Sequence, residues 1–177
     1  MYLISRLFGK GPDNREAVRP LWHRTVEIAR EQGWYAHCGI ADTVPGRFDA
    51  ITLVLSLVIL RLERDANEAH IGASARLTEL FVEDMDGQLR ESGVGDLVVG
   101  KRMGKLVSSL GGRIGALREA LHTEDDDALA AALARNVTMA GTAGDNEAAN
   151  LRASVRALNA QLAALGDDDI LFARIPR

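Results

Sequence analysis

Residues 96–121 read DLVVGKRMGKLVSSLGGRIGALREAL, and their spacing decides the fold class. Val99, Met103, Leu106, Val107, Leu110, Ile114, Leu117 and Leu121 recur every three or four positions. At about 100° per residue they fall within a sector of roughly 100°, the apolar stripe of an amphipathic helix. Asp96 is placed to cap its first turn. Beside this stripe Gly104, Ser108, Gly111, Gly112 and Gly115 form a second one made of small residues. Each glycine costs about 0.8–1.0 kcal/mol relative to alanine inside a helix. In return, a surface without side chains lets another backbone come close. Two destinations are open for it: a tight crossing or kink within the same domain, or a groove that receives a helix from another chain. Lys101 and Lys105 lie next to it on the outward side, where they meet acidic groups, lipid groups or water.

Working outward, 48–64 is apolar nearly all round, as in a central buried helix. Its apolar run AITLVLSLVIL (50–60) is well short of the roughly 20 residues that a membrane span requires. A first helix is predicted over 13–32 from Val18, Leu21, Trp22, Val26 and Ala29, and 34–46 reads as a loop because of its Gly and Pro. A helix starting near Asn67 carries Leu77, Leu80, Phe81, Met85 and Leu89 on one face, and Gly93 and Gly95 stop it. The acidic run 124–127 suits the start of another helix, bearing Leu129, Leu133 and Val137. After a flexible connection at 141–145 comes a last helix with Leu151, Val155, Leu158, Leu162 and Leu165. No segment alternates with period two strongly enough to propose a sheet. The expectation is an all-α fold, a single compact domain of about six helices without significant sheet. It occupies 13–165, between a flexible N-terminal segment (1–12) and a C-terminal tail (166–177) whose Ile170-Leu171-Phe172 docks back or meets a partner.

Composition narrows the function classes. The 177 residues are 47% hydrophobic and 26% charged, with a net charge of −4. That balance is globular and lacks the surplus of Lys and Arg that a specific nucleic-acid binder needs. The single cysteine, Cys38, excludes an intramolecular disulfide and fits a reducing compartment. Residues 1–10, MYLISRLFGK, lack the ordered regions of a signal peptide, so a soluble protein that is not secreted is expected.

Chemistry-bearing motifs mostly fail. Gly95 to Lys101 satisfies G-x-x-x-x-G-K, but Arg102 stands where a phosphate-binding loop needs a hydroxyl, and no buried strand precedes it. Glu119-x-x-His122 occurs once, whereas a di-iron bundle uses two such units plus carboxylates from two other helices. His37-Cys38 is too isolated for a metal site. No catalytic residue, metal or cofactor is therefore nominated. Asp86 and Arg90 are spaced to pair along one helix. Asp84 and Asp86 flank opposite edges of the Phe81/Met85/Leu89 face, at helix seams where a charge needs a partner, and Arg47 and Lys101 are the candidates.

Two segments carry a resemblance. The first is Trp34-Tyr35 followed by GIADTVPGRFD (39–49); the second is FVEDMD (81–86), running through Leu89-Arg90-Glu91 and GVGD (93–96) to Val99-Gly100-Lys101. Together they resemble the ubiquinol–cytochrome c chaperone family, whose patterns are an aromatic pair, G-V-P-D-T and G-R-F-E, then F-x-D-M-D-x-x-L-R-E-x-G-V-G-D-x-x-V-G-K. Ala41, Asp49 and Val54 depart from it, standing where the family usually has Pro, Glu and His. The resemblance spans about 18–137. It implies a non-catalytic helical chaperone that binds newly synthesised cytochrome b and promotes assembly of the ubiquinol–cytochrome c reductase complex. It also implies action near the ribosome or with a small co-chaperone. The expected place is the cytoplasmic face of a bacterial inner membrane in peripheral contact, or the mitochondrial matrix in a eukaryote. The expected contact surface for client or partner is Trp34, Tyr35, Lys101, Gly104, Lys105, Ser108, Gly112 and Gly115. Asp42, Arg47, Asp84, Asp86, Arg90 and Asp96 are expected to form a structural polar motif. A helical adaptor that binds a soluble partner or the ribosome, without shielding a client, is the alternative.

Overall fold

The computed structural model describes residues 15–64, 67–91 and 96–176, with the side chains of 89 and 96–102 outside the description. Among these residues the chain forms eight helices and no strand: α1 (Arg15–Ala29), α2 (Gln32–Ala36), α3 (Val44–Arg64), α4 (Glu68–Glu91), α5 (Asp96–Leu121), α6 (Asp126–Asn136), α7 (Asp145–Ala164) and α8 (Asp167–Leu171). The fold is all-α, as the periodicity requires. The expected flexibility of 1–12 and the stops at Gly93 and Gly95 lie outside the described residues.

Helix α3 is the hub, packed against α1, α4, α5 and α7, and residues 49–59 are all buried. A helix enclosed on every side has no polar face to keep, which explains its continuous apolar run. Thr52 and Ser56 remain tolerable there because their hydroxyls bond back to the carbonyls of Phe48 and Thr52 at 3.1 and 2.6 Å. Around the hub Leu21, Leu77, Phe81, Leu117, Leu129 and Val155 fill one continuous core.

Two boundaries differ from the sequence reading. The segment 34–46 is not one loop: 32–36 make a single helical turn, and α3 begins at Val44 rather than at Phe48. Thr43 starts α3, its hydroxyl accepting the Gly46 N–H at 3.3 Å and its carbonyl the Arg47 N–H at 2.8 Å. Pro45 sits in the first turn, where its missing N–H leaves no bond unmade. Gly46 is obligatory, since a Cβ there would lie 1.9 Å from the Ala41 carbonyl oxygen. The tail forms the short helix α8 and docks back: Ile170 and Ile175 are buried, and the Arg24 guanidinium donates to the Ile175 carbonyl at 2.8 and 3.1 Å.

The stretch before α3 is fastened to the stretch after α6. Ile40 and Met139 form an isolated antiparallel bridge. The Ala41 N–H donates to Thr138 O at 2.9 Å and the Ala140 N–H to Gly39 O at 2.8 Å. Gly39 has φ +71°, and a Cβ there would meet Glu147 at 2.7 Å, so only glycine fits.

Candidate functional site: an arginine-rimmed apolar groove

The elements that flank this fastening form two lips of a groove of about 780 Å³. One lip is the start of α3, with Val44, Pro45 and Arg47; the other is the end of α6, from Ala134 to Thr138. Met85 of α4 and Leu106 of α5 supply the floor with Phe48 and Ile51, and Arg30, just beyond α1, closes one side. Val44 is 84% exposed at the edge, although it is apolar.

Asp49 organises the site from below. It is buried, and its carboxylate accepts the Arg113 guanidinium at 2.6 Å through one oxygen. The other oxygen accepts the Thr138 N–H at 2.9 Å and the Thr138 hydroxyl at 2.6 Å. Arg113 also donates to the Thr52 hydroxyl and lies 5.6 Å above the Phe48 ring, a cation–π contact. A buried carboxylate requires such a partner set, and here it ties α3, α5 and the segment after α6 together. Phe48 packs against Phe81 at 6.1 Å, and Phe81 meets Trp22 edge-on at 6.2 Å. The two sequence segments that carried the family resemblance thus meet in space, at Phe48–Phe81 and around Met85.

The expected site residues separate into three groups. Trp34 is not on a contact surface: it is 3% exposed and its indole N–H donates to Ile28 O at 2.8 Å, so it belongs to the core. Tyr35 is half-buried, its hydroxyl donating to Ala29 O at 2.8 Å, and burial raises its pKa above that of free tyrosine. Gly104, Lys105, Ser108, Gly111 and Gly112 are exposed and Gly115 half-exposed, and none of them lines the groove. A Cβ on Gly104, Gly111, Gly112 or Gly115 would meet nothing within 4 Å, so no helix of the described fold crosses tightly there. The stripe faces outward. The Lys101 side chain lies outside the described residues.

In the polar set, Arg47 pairs with Asp42 at 2.6 Å at the groove edge. The hydrogen bond from Arg47 holds the Asp42 carboxyl below its usual range, and the same bond raises the guanidinium. Arg90 reaches Asp86 at 2.6 Å along α4. Asp84 accepts the indole N–H of Trp22, at 2.7 Å, rather than a bond from Arg47, which is paired with Asp42; at the α1–α4 seam an aromatic side chain supplies the donor. Helix α5 opens at Asp96, whose side chain is outside the description. Sequence reasoning passed over Arg30, Arg113, Arg135 and Thr138. The only signal for Arg113 was its place at the edge of the apolar sector of α5.

Among the described residues no three of His, Cys, Asp and Glu gather as metal ligands, and no helix is long and apolar enough to cross a membrane. What the groove offers is apolar area with arginines around it.

Comparison with known proteins bears on the fold and the family. A solved structure of the Cbp3 homolog from Brucella abortus is similar over 98% of this chain and 95% of that one, with a TM-score of 0.79 and 32% identity. A search of curated proteins found no match. The model of the ubiquinol-cytochrome C chaperone family matches residues 36–176, including both lips and the floor of the groove, and the chain belongs to that family.

Proposed function

We propose that this chain binds newly synthesised cytochrome b and promotes its assembly into the ubiquinol–cytochrome c reductase complex, without chemistry of its own. The observation that carries this reading is the groove itself. Both segments of family resemblance converge on it, and its apolar floor is open to a partner. A membrane client exposes apolar helices before assembly, and covering them gains roughly 25 cal/mol for each Å² removed from water, less the ordering of the groups involved. The outward glycine face of α5, whose glycines have none of the described side chains close over them, adds a second surface on which a client helix can lie close. Work at the inner face of the membrane, in peripheral contact with it and with the ribosome or a small co-chaperone, fits such a client.

Val44→Asp and Leu106→Asp test the groove. Val44 is exposed, so its variant folds normally by circular dichroism. Tagged protein should capture cytochrome b from detergent-solubilised membranes, and both variants should lose most of that capture. Ile71→Asp, on an exposed site of α4 away from the groove, should not. Undiminished capture by the folded Val44→Asp and Leu106→Asp variants would reject the groove. Capture of only soluble or ribosomal proteins would favour an adaptor instead.

A further inference from the structure

Among the described residues the charges lining the groove do not balance. Arg30, Arg47, Arg113 and Arg135 stand there against one carboxylate, that of Asp49. Asp49 is committed to Arg113 and Asp42 to Arg47. Arg30 and Arg135 are exposed and have no acidic partner among the described residues. Each sits at the C-terminal end of a helix, where the dipole favours a cation. That accounts for each charge separately but not for two helices delivering theirs to one apolar cleft. A purely apolar guest would strip water from these guanidinium groups and give nothing back, which disfavours its seating. A guest that brings a carboxylate offsets that desolvation with charge-assisted hydrogen bonds.

We infer that the groove selects an apolar helical segment bearing an acidic side chain at its end, with Arg30 and Arg135 as the carboxylate's receivers and Phe48, Met85 and Leu106 as its apolar bed. The inference rests on the reading of the groove as the client seat and adds what distinguishes one client segment from another.

The test uses the full chain and two labelled peptides, leucine- and alanine-rich helices identical except for a terminal Glu or Gln, with binding read by fluorescence anisotropy. The Glu peptide should bind about tenfold more tightly, and the difference should shrink as salt is raised. The double variant Arg30→Gln/Arg135→Gln should lose the preference and bind the two peptides equally. If wild type binds both peptides equally while Val44→Asp abolishes both, the acid preference is wrong and the apolar seat stands. If neither peptide binds, seat and preference fall together. Retention of phosphatidylglycerol vesicles through Arg30 and Arg135, with no preference between peptides, would assign the cations to a lipid head group and overturn the inference.

Discussion

Asp49 shows at the scale of one residue how this molecule is held. Asp49 is 6% exposed, and its carboxylate accepts three hydrogen bonds, from Arg113 and from the backbone and hydroxyl of Thr138. Removing one member of a buried ion pair leaves the other charge stranded, which typically costs about 3–5 kcal/mol. Asp49→Asn keeps the shape and part of the bonding, so about 3 kcal/mol is expected in urea unfolding. Arg113→Met added to it should cost less than the sum of the two single changes, because the second change removes the charge that the first stranded. Legibility at this scale depends on sequence separation. The Asp86–Arg90 pair could be read off a spacing of four within one helix. The Trp22–Asp84 bond joins residues 62 apart, and Asp49 with Thr138 spans 89; no local pattern announces such partners.

The helices differ in what glycine does for them. In α3, Gly46 admits the Ala41 carbonyl where a methyl group would collide. Gly46→Ala should therefore lower stability by at least about 2 kcal/mol, a change in the range reserved for enforced backbone movement. In α5, Gly112 faces open space, so Gly112→Ala should raise stability by up to about 1 kcal/mol through helix propensity. Thermal melts of the two variants should move in opposite directions. If the stabilised α5 variant also captures less cytochrome b, the glycine is retained for a visitor rather than for the fold. Long periodic elements such as α5 and α7 were readable because their stripes run over many turns. The single turns α2 and α8 have no period to read, and the start of α3 was hidden in a run of Gly and Pro. The glycine stripe was legible as a feature, but its direction depends on which neighbours α5 finds.

At the scale of the whole molecule, the C-terminal residues close the body. Arg61, 5% exposed, donates to the carbonyls of Leu162 and Leu165 at 3.0 and 2.7 Å and pairs with Asp167 at 3.3 Å. It thereby reinforces the open carbonyl end of α7, where Leu162 O also accepts the Leu165 N–H at 3.2 Å. Removing residues 167–177 would uncover the core beneath Ile170 and Ile175 and deprive Arg61 of Asp167. The expected result is a loss of several kcal/mol, each buried Ile alone contributing about 1.5–3, measured as a lower urea midpoint or as failure to fold. The all-α class followed from the absence of period two and from the abundance of helical stripes. The groove did not follow in the same way, because its walls come from five separate elements. The resemblance singled out the segments that build most of it, but only the packing shows them side by side.

The backbone pairing of Ile40 with Met139 rivets the two lips beneath their rims. If the groove is the client's seat, its opening is gauged before any guest arrives, and a guest would be measured by its girth as by a calliper rather than grasped by closing jaws. On that reading the seat has no jaw to open, and the handover of a captured segment would fall to whatever competes for it next.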